Sequence, residues 1–131
     1  NRWITVNNSA MTTFGNIDIS ANGTSRILII GGTGTVTVNG VIANGGGSVA
    51  SSINKNGSGT LILNGANTYS GTTYHFNGGT IQVGNNTALG NSLVWLSGGT
   101  TLRGDGTPRT LANTFRIWGN ISLNPVYITG N

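Results

Sequence analysis

The sequence has no cysteine and no glutamate, a single lysine (Lys55), a single glutamine (Gln82) and only two acids, Asp18 and Asp105. Without cysteine there are no disulfide staples and no cysteine-based metal or redox centres. Charged residues make up 6% of the chain, against about a quarter in an ordinary soluble domain, so neutral groups must keep the surface wet. The shortage of Glu, Lys and Gln removes the straight-chain residues that support exposed helix faces, and Gly or Asn interrupts every stretch long enough to be a helix. The longest apolar run is Ile27-Leu28-Ile29-Ile30, far short of the ~18 residues of a membrane span, so no membrane embedding is expected. The chain opens at Asn1 without a secretory leader and its only methionine is Met11; a processed product or a piece of a longer chain is expected.

What is abundant is Gly (23), Asn (19) and Ser plus Thr (30), together 72 of 131 residues. Such polarity alone suggests disorder, but disordered chains lack β-branched residues, and Val, Ile and Thr are plentiful here. Those are strand formers, which makes the chain all-β. The net charge is +4. Its basic residues, Arg2, Arg26, Lys55, Arg103, Arg109 and Arg116, are scattered rather than clustered into the stripe that nucleic acid requires. They are expected as solvated surface charge, with no nucleic-acid partner.

A repeat organises the chain. The unit Gly-x-apolar-x-apolar occurs at Gly15-Asn16-Ile17-Asp18-Ile19, Gly34-Thr35-Val36-Thr37-Val38, Gly59-Thr60-Leu61-Ile62-Leu63, Gly79-Thr80-Ile81-Gln82-Val83 and Gly119-Asn120-Ile121-Ser122-Leu123. Gly98-Gly99-Thr100-Thr101-Leu102 fills the remaining slot one residue out of register, and with Gly99 the spacings are 19, 25, 20, 20 and 20. A second lane follows each later unit: Tyr74 and Phe76, then Val94 and Leu96, then Phe115 and Ile117. The alternation is that of strands with one buried face. Hairpins return antiparallel within a few residues, whereas these patterns recur in one chain direction. Stacked in parallel, Ile17, Val36, Leu61, Ile81 and Ile121 form one internal column. The prediction is a parallel β-helix, a solenoid of about six coils of ~20 residues, forming a single segment over 1–131.

Gly and Asn supply the corners, since Gly adopts positive φ freely and Asn tolerates it; Asn39-Gly40, Asn64-Gly65, Asn77-Gly78 and Gly84-Asn85-Asn86 are the predicted turns. Stacked Asn and Thr are expected to form hydrogen-bonded ladders. No polar cap is evident. Residues 1–6 and 126–129 both read as strands, so the solenoid is expected to present open edges that add flanking repeats or further copies of itself, head to tail.

The stretch Lys55-Asn56-Gly57-Ser58-Gly59-Thr60-Leu61-Ile62-Leu63-Asn64-Gly65-Ala66-Asn67-Thr68-Tyr69-Ser70-Gly71-Thr72-Thr73, continued by Asn77-Gly78-Gly79-Thr80-Ile81-Gln82-Val83-Gly84-Asn85-Asn86-Thr87-Ala88-Leu89-Gly90, resembles the passenger-associated transport repeat, also called the autotransporter-associated β-strand repeat. The resemblance implies a right-handed β-helix in a secreted or surface-displayed bacterial protein, acting as a stem. It brings no catalytic residues, and this chain lacks the membrane barrel of a whole autotransporter.

Candidate chemistry is sparse. Asp18 and Asp105 would lie about four coils apart, roughly 20 Å, too far for paired-carboxylate catalysis; no enzyme, cofactor or metal is expected. Arg103-Gly104-Asp105 spells an adhesion tripeptide but sits in a Gly-rich turn. His75, between Tyr74 and Phe76, is expected on the surface if those two point inward, and without a second His, Cys or Glu it makes no metal site. Trp3, Trp95, Trp118 and Tyr127 are the candidate surface or assembly contacts; with Tyr69 and Tyr74 they could also stack on sugars. The expected function is therefore a structural stem or fibre subunit at the bacterial surface, and the alternative is an adhesin or glycan-binding β-helix. The directions of Trp95 and Trp118 discriminate: a shared open groove favours binding, burial favours structure.

Overall fold

The computed structural model describes residues 1–46 and 49–128, and for residues 127 and 128 the backbone alone. Among the described residues sixteen strands occur, in chain order: β1 (Arg2–Thr5), β2 (Met11–Phe14), β3 (Ile17–Ser20), β4 (Ile27–Gly31), β5 (Thr35–Val38), β6 (Ile42–Gly45), β7 (Ser52–Asn56), β8 (Thr60–Leu63), β9 (Thr73–Phe76), β10 (Thr80–Val83), β11 (Val94–Ser97), β12 (Thr101–Gly104), β13 (Thr110–Leu111), β14 (Phe115–Trp118), β15 (Ser122–Asn124) and β16 (Tyr127–Ile128). They stack as two six-stranded sheets, one in the order β1-β4-β7-β9-β11-β14 and the other β2-β5-β8-β10-β12-β15, with two-stranded pairs β3-β6 and β13-β16 at the third corner. Each of these pairings is parallel. The fold is an all-parallel β-solenoid, consistent with the right-handed hand that strand–crossover–strand units adopt.

Inward files of side chains make the core. In the second sheet Val36, Leu61, Ile81 and Leu102 lie directly over one another and are buried, flanked by Val38, Leu63 and Val83. The file begins at Thr12 and ends at Leu123, with steps of 24, 25, 20, 21 and 21 residues. The expected column is therefore correct at its centre and wrong at both ends. Ile17 belongs to β3 and pairs with Ile42 at the third corner; Met11–Phe14, which lacks the Gly unit, takes its place. At the other end Leu123, not Ile121, continues the file, because the last coil is 21 residues long and shifts the Gly119 unit against its neighbour.

The outer face of that sheet carries Thr35, Thr60, Thr80 and Thr101 in one file, a stack of β-branched side chains suited to a pleated surface. Asn side chains bridge coils as predicted: Asn64 Nδ2 donates to Asn39 Oδ1 at 2.8 Å and Asn77 Nδ2 to Asn56 Oδ1 at 3.0 Å. The turn after β9 is built from left-handed residues. Asn77, Gly78 and Gly79 all have positive φ (61°, 80° and 77°), and Asn77 is the sole non-Gly residue of that kind among the described residues. A Cβ on Gly79 would collide with the carbonyl oxygens of Gly57 and Gly59 and with the Lys55 amine, so the close approach of two coils requires Gly there.

Candidate functional site

The first sheet holds the residues with chemical potential, and its register decides where each one faces. Trp3, Ile29, Asn54, Tyr74, Trp95 and Arg116 form one outward file. Thr5, Gly31, Asn56, Phe76, Ser97 and Trp118 continue into the next outward file. Tyr74 and Phe76 thus face out, reversing the expectation that they line the core. Ile53–Thr73 and Lys55–His75 are the cross-coil partners, so Thr73 and His75 point inward.

The outward aromatics gather towards the β14 end. The Tyr74 and Trp95 rings meet edge to face with centroids 5.9 Å apart, while Phe76 lies 5.6 Å from Tyr74 and 6.4 Å from Trp95. The Arg116 guanidinium sits 5.7 Å over the Trp95 ring, within cation–π range. A groove of about 180 Å³ is bounded by Phe76, Trp95, Leu96, Arg116, Ile117 and Trp118. Its two walls are the outward files, Trp95 and Arg116 on one side and Phe76 and Trp118 on the other; small Ser97 between Phe76 and Trp118 leaves the gap. Trp95 is half-buried, and its indole nitrogen has no acceptor among the described residues. Trp118 is 77% exposed.

Of the candidate contacts, the structure brings Trp95 and Trp118 together on this groove. Trp3 stands in the Trp95 file but four strands away, about 19 Å at the strand spacing, and is 65% exposed on β1. Tyr127 pairs through its backbone with Thr110; its side chain lies outside the described residues.

The interior is more polar than the sequence suggests. Lys55, expected in solvent, is 2% exposed, and His75, expected on the surface, is fully buried. They occupy one inward file between Ile30 and Leu96. The Lys55 amine donates to the carbonyls of Gly57 at 2.7 Å and Asn56 at 3.4 Å, tying the turn from inside. Burial lowers its pKa to about 8. Neither ring nitrogen of His75 has a hydrogen-bond partner among the described residues. Burial, and next the charge of Lys55, lowers its pKa to about 4, which the nearby backbone of Gly78 and Gly79 offsets only in part. Period-2 alternation fixes which residues share a face but not which face is inside, and the two aromatics of Tyr74-His75-Phe76 bias the choice the wrong way.

A second buried network went unseen in the sequence. The Tyr69 hydroxyl meets Thr73 Oγ1 at 2.6 Å, Thr73 Oγ1 meets Ser92 Oγ at 2.8 Å, and Ser92 Oγ donates to the Leu89 carbonyl at 2.7 Å. Tyr69 is wholly buried, which raises its pKa and removes it from any stacking face. Buried Asn67 accepts from the Ile42 amide at 2.7 Å and donates to the Ala88 carbonyl at 2.6 Å, joining three coils. These side chains replace missing backbone partners at the third corner, where the strands are short.

The acids play no joint part. Asp18 is exposed on β3. Asp105, in the turn after β12, accepts from Arg109 Nε at 3.0 Å and Nη2 at 2.6 Å, which holds its pKa down to about 2. Arg103 donates instead to Gln82 Oε1 at 2.9 Å, so the Arg-Gly-Asp tripeptide is divided between two structural contacts. Among the described residues no three His, Cys, Asp or Glu side chains are placed to share a metal ion, and no helix is long and apolar enough to cross a membrane.

No curated protein and no solved structure matches the chain. Residues 53–83 match a known family, and they run from β7 to the end of β10, one full coil with both principal strands on either side of its turn. This part of the chain is identified as a passenger-associated-transport-repeat.

Proposed function

We infer that the chain is a non-catalytic structural segment of a bacterial surface or secreted stem, one solenoid over residues 1–131 that lengthens coil by coil. The repeat at residues 53–83 supports the secreted setting. Parallel backbone ladders run along the axis, so pulling or bending loads many hydrogen bonds together rather than one contact. The observation that carries the proposal is the state of the last coil: Ile117 and Leu123, which continue the inward files of Leu96 and Leu102, are exposed. A further coil from flanking repeats, or a copy stacked head to tail, would cover them and extend both sheets. Electron microscopy and sedimentation of the purified chain test it. Rods that lengthen with concentration, and that Leu123→Asp shortens, are expected if copies stack; particles that stay monomeric at high concentration contradict stacking of copies.

A second role is favoured by one specific feature. Trp95 and Trp118 share an open groove instead of being buried between coils, the arrangement expected of a surface that receives a sugar ring. A stem that also holds glycan needs no change to the solenoid.

A further inference from the structure

We propose that the groove between Trp95–Arg116 and Phe76–Trp118 seats one carboxylated sugar ring of an acidic polysaccharide. The proposal rests on the glycan-binding role and specifies its ligand. At about 180 Å³ the groove is smaller than the roughly 300 Å³ at which pockets begin to enclose a whole drug-sized ligand. It suits a single ring of a chain that lies across the sheet.

The lining side chains decide the chemistry. Phe76, Trp95 and Trp118 present aromatic surface for the C–H face of a pyranose ring. The accessible donors among the lining side chains are the Arg116 guanidinium and the indole N–H of Trp118, the Trp95 indole nitrogen being buried. No side-chain carboxylate or amide lines the groove, and the one hydroxyl beside it is that of Ser97, between Phe76 and Trp118. A neutral sugar offers several hydroxyls that both donate and accept, and their donors would find a single side-chain acceptor here, Ser97 Oγ. A carboxylate only accepts, and guanidinium binds it with two parallel hydrogen bonds. Arg116 is free to do so. Among the described residues it has no acidic partner, Asp105 being held by Arg109 and Asp18 lying on β3 at the opposite end of the stack. The scarcity of acids, two against six basic residues, leaves little to repel a polyanion approaching this face.

Isothermal titration calorimetry on the whole chain tests the proposal with three probes of equal length: an oligogalacturonate, its methyl ester and a neutral glucan. The oligogalacturonate is expected to bind at least tenfold more tightly than the ester or the glucan. Arg116→Gln is expected to erase that preference, and Trp118→Ala to weaken every probe at least tenfold. Both side chains are exposed, and an unchanged thermal midpoint verifies that each variant is folded. Equal binding of all three probes, unaltered by Arg116→Gln, overturns the carboxylate assignment and leaves glycan binding standing. Binding of none overturns both. Oligogalacturonate binding that is indifferent to Trp118→Ala reflects general charge attraction and also overturns the assignment.

Discussion

Replacing His75 by leucine should stabilise the solenoid, although the residue lies at the centre of its core. The ring is fully buried, in file with Lys55 on one side and Leu96 on the other, and both of its nitrogens lack partners. At pH 7 the ring is neutral, since its folded pKa is about 4. An unsatisfied buried polar group costs about 1–3 kcal/mol, and leucine removes it while matching its neighbour Leu96. His75→Leu is therefore expected to raise stability at pH 7 by about 2 kcal/mol, which is about 1 M in the urea midpoint for a chain of this size. The pH dependence has a definite sign. Between pH 6.5 and 4 the unfolded chain binds a proton at His75 that the folded chain does not, so stability falls as pH falls through that window. A drop from 6.5 to about 4 corresponds to about 3 kcal/mol, fully lost near pH 4. Lys55 is the only charged group facing the ring from the adjoining strands; it remains protonated throughout the window and adds repulsion. Urea unfolding of both proteins at pH 4, 5.5 and 7, followed by circular dichroism, measures both effects. A variant less stable than the parent at pH 7 that keeps the parent's slope between pH 4 and 6.5 would refute the placement of His75.

Lys55 predicts a second window: its folded pKa of about 8 lies below the ordinary 10.5, so stability should rise by up to about 3 kcal/mol between pH 8 and 10.5, and Lys55→Met should flatten that rise in the same urea series. Gly79→Ala meets two carbonyl oxygens and the Lys55 amine, whereas Gly78→Ala meets nothing despite a similar φ; the unfolding midpoints should show a loss of about 1 kcal/mol at Gly78 from left-handed strain alone and at least twice that at Gly79. Asn67→Ala strands the Ile42 amide and the Ala88 carbonyl in the interior and should cost about 3 kcal/mol by denaturant titration, more than Tyr69→Phe, which removes one hydroxyl from a chain whose other members remain paired.

The central coils were legible because their composition fixes both period and phase. In Thr60-Leu61-Ile62-Leu63 and Thr80-Ile81-Gln82-Val83 the Gly before each strand marks its start, and two aliphatics mark the buried face. Where those cues conflict, the prediction fails. Gly15 precedes a strand of the third corner, and the true partner of β5, Met11–Phe14, begins without Gly and puts the half-buried Thr12 at the end of the aliphatic file. Thr73 and His75 point inward because the neighbouring coils set the register, and the polar interior they create is balanced across coils, by Ser92 and Tyr69 for Thr73, in a way no single strand encodes. The unequal steps, 24 to 26 residues early and 20 or 21 later, explain why constant spacing mislabelled the ends. The groove was half legible: Trp95 and Trp118 follow from outward alternation, but the contributions of Phe76 and Arg116 require the lateral register of three coils.

Ile62 and Gln82 lie side by side on the outer face of adjacent parallel strands, about 4.8 Å apart and within disulfide reach; Arg103 is one strand further. Because the chain has no cysteine, the double variant Ile62→Cys/Gln82→Cys reports this pairing without background. Mild oxidation should close an intramolecular disulfide in that variant and not in Ile62→Cys/Arg103→Cys, as read by mass spectrometry. A failure of the first pair to close in folded protein, or equal closure of both, would contradict coils stacked in this register.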